Sequence, residues 1–173
     1  MIKLFCAAVF TVLLSGSIYE ISIEKADGTT VSLNQYQANK MLVVVLPSQQ
    51  TEAGVVFLHQ LDSVSKVHTD YQFIGVPSYE DGYTDAATGV QAWYSSLVDS
   101  QVTITTGMYT RKTSGSQQHP LFAWLTNTNG NGSFDEDVRG VGSKFFINES
   151  GELIGELWGD ISFSSPLMQR AFR

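Results

Sequence analysis

Two short apolar runs stand out along the chain. Met41–Leu46 is continuous and Val-rich, and Tyr71–Val76 repeats the pattern; prolines Pro47 and Pro77 stop them. A half-exposed strand would alternate, so unbroken runs of this length read as strands buried on both faces of a sheet. Between them, from Glu52, apolar residues fall at Phe57, Leu61 and Val64, the i, i+4, i+7 spacing of one helical face. Residues 41–76 therefore predict a strand–helix–strand unit with parallel strands and a right-handed crossover.

The flanking segments extend this unit. Ile18–Ile23 alternates like a strand, Asp27-Gly28 is a turn signal, and Thr30–Leu33 returns, which predicts an N-terminal hairpin. A helix is predicted over Ala86–Leu97, an edge strand over Val102–Ile104, and no regular element over the polar stretch 105–118. His119–Leu125 reads as a short helix with Pro120 in its first turn, and Asn127–Asp137 as a loop. Gly142–Ile147 and Leu153–Trp158 flank a turn at Asn148–Gly151 and predict an antiparallel pair. A last helix, Ser164–Phe172, is capped by Ser164 or Ser165, with Pro166 in its first turn. This order predicts an α/β fold: a mixed central β-sheet flanked by helices, with an N-terminal β-hairpin. No repeat or linker divides residues 18–173, so they read as one domain.

Composition narrows the function classes. The chain has 173 residues, 43% hydrophobic and 16% charged, enough apolar material for one core. Its formal net charge is −7 and its ten basic residues form no run. Nucleic acids and anionic membrane surfaces, which need clustered Lys and Arg, are excluded as partners. Residues 1–17 read separately. Lys3, the apolar run Leu4–Leu14 and the small residues Ser15, Gly16 and Ser17 form the three-part pattern of a signal peptide. The run is shorter than the ~20 apolar residues a spanning helix needs. Cleavage after Ser17 would yield a secreted or periplasmic protein with no membrane insertion; the competing reading is a buried first strand or helix. Leu14-Ser15-Gly16 resembles the start of a lipoprotein lipidation site, but position 17 is Ser rather than Cys. Cys6 is the only cysteine. It leaves with the signal, so the remaining chain has neither a thiol nor a disulfide.

Several strings in order resemble the glutathione peroxidase family of the thioredoxin-like superfamily. They are Ser17-Ile18-Tyr19-Glu20 with Asp27-Gly28 and Val31-Ser32-Leu33; Gln35-Tyr36 before Lys40–Val45; and Phe73-Ile74-Gly75-Val76-Pro77. His119-Pro120-Leu121-Phe122-Ala123-Trp124-Leu125, Lys144–Ile147 with Gly151-Glu152-Leu153-Ile154, and Ser165-Pro166 complete the set. The resemblance implies a thioredoxin-like fold and peroxide reduction by a cysteine or selenocysteine, aided by Gln, Trp and Asn. At those positions this chain has Gln50 for the peroxidatic residue, Glu80 for the Gln, and Gly140 and Val141 for the Trp-Asn pair. Peroxide reduction needs a thiolate that becomes a sulfenic acid. An amide has no such cycle, and Glu80 adds negative charge where a thiolate would need stabilisation. The resemblance thus implies a catalytically inactive member with a binding or accessory role. The alternatives are a residual peroxidase and a structural protein with no small-molecule site.

Other constellations are weaker. Ser48 and Thr51 beside Gln50, with His59 or His68 as base, sketch a hydrolase, but no Gly-x-Ser-x-Gly elbow occurs, and the two histidines lie on opposite sides of one predicted helix. His59, His68 and His119 lack zinc-ligand spacing. The loop Asn127–Asp137 alternates oxygen side chains around Gly132, but its twelfth position is Val138, where a calcium loop needs Glu. No metal and no cofactor is expected. Tyr79, Tyr83, Trp93 and Tyr94, with Glu80, Asp81 and Asp85 among them, read either as core or as a surface for an unknown protein partner. Asn131-Gly132-Ser133 and Asn148-Glu149-Ser150 fit the glycosylation sequon.

Overall fold

The strand over Lys40–Leu46 is the centre of the molecule. The computed structural model describes residues 16–85 and 88–173. Along the chain it forms β1 (Ser22–Glu24), β2 (Thr30–Ser32), β3 (Lys40–Leu46), α1 (Glu52–Val67), β4 (Tyr71–Pro77) and α2 (Thr88–Leu97). These are followed by β5 (Val102–Ile104), α3 (Pro120–Leu125), α4 (Thr128–Asn131), β6 (Lys144–Ile147), β7 (Leu153–Leu157) and α5 (Pro166–Ala171). β1 and β2 form an antiparallel hairpin; the other strands form one sheet in the order β5-β4-β3-β6-β7. β4 lies parallel to β3 and β5 parallel to β4, while β6 and β7 run antiparallel.

The continuous apolar run of β3 has a simple cause. Met41, Val43 and Val45 enter one core with Leu121, Phe122 and Leu125 of α3 and with Ile23 and Val31 of the hairpin. Leu42, Val44 and Leu46 enter a second core on the other face, with Leu58 and Leu61 of α1, Tyr94 of α2, Met168 of α5 and Phe172 just beyond it. Successive side chains of a strand point to opposite faces, so a strand covered twice must be apolar at every position.

The elements differ from the expectation at several places. Ile18–Glu20 is a 3-10 turn rather than strand, because the Ser17 hydroxyl accepts from the Tyr19 amide and Ile18 turns inward. The polar stretch 105–118 contains a 3-10 segment, Lys112–Gln117. Part of the expected loop 127–137 is the single turn α4, capped by the Asn127 side chain. The predicted export segment and the start of the helix expected from Ala86 fall outside the described residues, apart from Gly16 and Ser17. Gly16 is held by its carbonyl, which accepts from the Trp124 indole N–H at 2.7 Å.

One buried cation closes the second core. Lys144 has no exposed surface, yet its ammonium donates to the carbonyls of Gly142 at 2.6 Å and Ile161 at 2.8 Å, with Trp158 at 3.4 Å. Burial pushes the amine down to about 8. The three acceptors tie the segment before α5 to the entry of β6. Lys144→Met fills the space but leaves the Gly142 and Ile161 carbonyls unpaired, and is expected to lower unfolding free energy by about 2–3 kcal/mol in urea titrations.

Candidate functional site

β3 and β4 are parallel and β6 is antiparallel to β3. The loops leaving β3 and β4 and the segment entering β6 therefore meet at one end of the sheet, where α/β folds commonly bind ligands. A cleft of about 430 Å³ opens there, lined by Pro47, Ser48, Thr51, Phe57, Asp81 and Val141 among others. The Val45 carbonyl accepts from the Gly142 amide at 2.8 Å, and the Val45 amide donates to the Ser143 carbonyl at 3.0 Å, which fastens this wall to the central strand. Gly142, at φ +83°, passes so close to Gly159 that a Cβ on it would lie 2.8 Å from the Gly159 Cα.

Gln50 sits between β3 and α1, exposed to solvent. Its amide donates to the Gly89 carbonyl of α2 at 3.3 Å, away from the cleft. Thr51 caps α1 by accepting from the Gly54 amide at 3.1 Å. The absence of a side chain on Gly54 admits Trp93, since a Cβ there would lie 2.9 Å from the indole. Tyr94 is fully buried and donates its hydroxyl to the Pro47 carbonyl at 2.8 Å, and burial pushes its phenol upward.

Glu80 turns away as well. Its carboxylate accepts from the amides of Thr110 and Arg111 at 3.0 Å and from the hydroxyls of Ser78 and Ser114. Partial burial opposes ionisation, but the Ser114 hydroxyl and these amides outweigh it and hold the carboxyl down at about 2. The neighbouring Asp81 is the residue that reaches the cleft. It is ion-paired to Arg111, and Gly140, at φ +103°, lies against the pair. Val141 lines the cleft itself, 39% exposed. Of the four positions taken from the sequence, Gly140 and Val141 thus reach this end of the sheet, while Gln50 and Glu80 point to α2 and to the 110–114 segment. Asp81 and Arg111 are thirty residues apart, and no local pattern in the sequence marks them as a pair.

None of the three histidines lines the cleft. His59 lies on the α1 face toward Phe163 and Gln169, His68 stacks on Phe172 with ring centroids 3.9 Å apart, and His119 caps α3. None is paired with Ser48, whose hydroxyl is buried, or with Thr51. In the Asn127–Asp137 loop, the Asn131 side chain is buried and bonded to the carbonyls of Trp124, Leu125 and Phe134 and to the amides of Ser133 and Phe134. That geometry closes this sequon to modification in the folded chain. Asn148 keeps partial exposure in its turn. Asp137 accepts from the Lys112 and Val138 amides. Among the described residues no three His, Cys, Asp or Glu side chains come together as a metal site. Tyr83 and Tyr94 belong to the second core, with Tyr79 and Trp93 partly buried beside them. Among the described residues no helix is long and apolar enough to cross a membrane.

Comparisons with known proteins bear on the fold. No family model matches the chain. It is 28% identical over 143 residues to a protein of Staphylococcus epidermidis named glutathione peroxidase homolog BsaA, covering 80% of this chain and 86% of that one. It is 24% identical over 144 residues to a glutathione peroxidase of Lactococcus lactis subsp. cremoris, covering 80% of this chain and 87% of the relative. Among solved structures, apo Trgpx superposes with a TM-score of 0.65 at 19% identity, over 91% of this chain and 96% of that one. The fold is thioredoxin-like, and the curated relatives it resembles are named glutathione peroxidase or a homolog of it.

The Glu80 bonds make a pH-dependent prediction. A carboxyl held below its ordinary value stabilises the fold above that value, and the contribution is lost as pH falls toward 2. Glu80→Gln is expected to cost about 1–2 kcal/mol at neutral pH. It should also flatten the loss of stability between pH 4.5 and 2, as read by urea titrations across that range.

Proposed function

We propose that this is an exported glutathione peroxidase-like protein that does not reduce peroxides through a thiol and whose cleft serves a binding or accessory role. The observation that carries this reading is Gln50. It occupies the loop between β3 and α1, the position the family resemblance gives to the peroxidatic residue, and it is an amide bonded to the Gly89 carbonyl. No cysteine follows Cys6 in the chain, so no neighbouring thiol can take over. The supporting positions are altered in the same direction. Glu80 is an anion fixed to backbone amides, and Gly140 and Val141 offer no hydrogen-bonding side chain. What remains is a cleft with an apolar wall, from Phe57 and Val141, facing the Asp81–Arg111 pair. That combination suits a ligand with both apolar and polar parts better than it suits redox chemistry.

The Cys6→Ser protein should consume hydrogen peroxide and an organic hydroperoxide no faster than the buffer blank, with either glutathione or thioredoxin as reductant. Turnover above the blank rejects the inactive reading. Export is tested separately: protein recovered from its native compartment should begin at Ile18 by N-terminal mass spectrometry, and an intact Met1 would reject it.

A further inference from the structure

Glu156 is an unusual residue for its place. It lies on β7, the edge strand, opposite Phe145 of β6. Partners across a ladder share a face, so Glu156 is directed to the side where Phe145 joins Phe122 and Val138 in the first core. Both carboxyl oxygens are sealed from solvent, and neither has a hydrogen-bond partner among the described residues. The charged groups around it do not compensate. Glu136 and Asp137 oppose its ionisation. Arg139 favours it, but its guanidinium stacks on the Trp158 ring at 3.5 Å and pairs with Glu136. Lys112 is paired with Asp135. Burial, followed by the charge of Glu136, pushes the carboxyl up to about 7.

The segment that carries Glu136, Asp137 and Arg139, whose charges act on this carboxyl, also forms a wall of the cleft. Phe134 and Val138 pack on the first core. Two residues beyond Val138, Gly140 meets the Asp81–Arg111 pair, and Val141 lines the cleft. An unpaired carboxylate is not tolerated in such a place, because it loses its hydration without gaining a partner. A neutral carboxylic acid is tolerated far better. We propose that Glu156 is a pH-sensitive latch on residues 134–141: protonated it stays covered, and ionised it loosens the segment and with it the Gly140–Val141 wall of the cleft.

The direction follows from linkage. In the loosened state the carboxyl is solvated and ionises in the ordinary carboxylate range; covered, it ionises only near neutrality. Opening is therefore increasingly favoured as pH rises between those two values and levels off above them. This inference does not depend on the proposed function.

The test is carried out on the full chain. The Glu156 side-chain carbon is titrated by NMR, and amide exchange of residues 134–143, corrected for intrinsic rates, is compared at pH 5 and pH 7.5. The expected result is a carboxyl midpoint near 7 and a loss of protection of roughly tenfold or more in that segment. E156Q, a neutral isostere, should show no such loss. It separates the contribution of Glu156 from that of every other ionisable group in the chain. Three results overturn the latch: a midpoint below 5.5, a carboxyl that titrates while protection of the segment stays constant, or the same loss of protection in E156Q. The first two are read on the unaltered protein and hold even if E156Q does not fold.

Discussion

The cleft depends on the burial of β3 on both faces. A strand covered by α1 and α5 on one side and by α3 and the hairpin on the other has no freedom to shift register, since a slip of one residue would exchange its two apolar faces. Its ladder fixes β4 and β6 in turn. Three chain segments distant in sequence, the loops after β3 and β4 and the entry to β6, are thereby held at one end of the sheet. The wall formed by residues 141–143 is bonded directly to Val45, so the shape of the cleft is set by the core rather than by the loops.

Polar residues around the cleft mostly serve that architecture. Gln50 joins the β3–α1 loop to α2, Glu80 organises residues 110–114 through backbone amides, and Asp81 holds Arg111 beneath Gly140. The hydrogen bonds of these side chains run into the scaffold. A carboxylate surrounded by amide donors is a strong anchor and a poor acid or base, because its proton is bound only under acidic conditions.

Lys144 and Glu156 show two ways of placing an ionisable group inside a sheet. They sit on neighbouring strands, β6 and β7. Lys144 has three carbonyl acceptors, so its burial is offset and it acts as a clamp. Glu156 has no donor, so its burial favours the protonated acid. The contrast comes from the surroundings: the segment before α5 turns its carbonyls toward Lys144, whereas the 134–139 segment brings two further carboxylates toward Glu156.

The central sheet, the helices over 52–67 and 120–125, the family likeness and the lack of any cysteine beyond Cys6 are legible in the unfolded chain. Those features rest on local periodicity, on proline stops and on residue identity, all of which are written along the chain. The short turns were less legible. Ile18–Glu20 alternates like a strand but is turned by the Ser17 cap, and α4 is held by Asn127 and Asn131 through contacts that hydropathy does not register. Folding alone reveals that Asp81 rather than Glu80 faces the cleft, that Asn131 is buried, and that both Glu156 carboxyl oxygens are sealed from solvent. Each of these depends on which distant backbone groups stand within hydrogen-bond reach of a side chain, and that is settled by how the sheet brings its loops together.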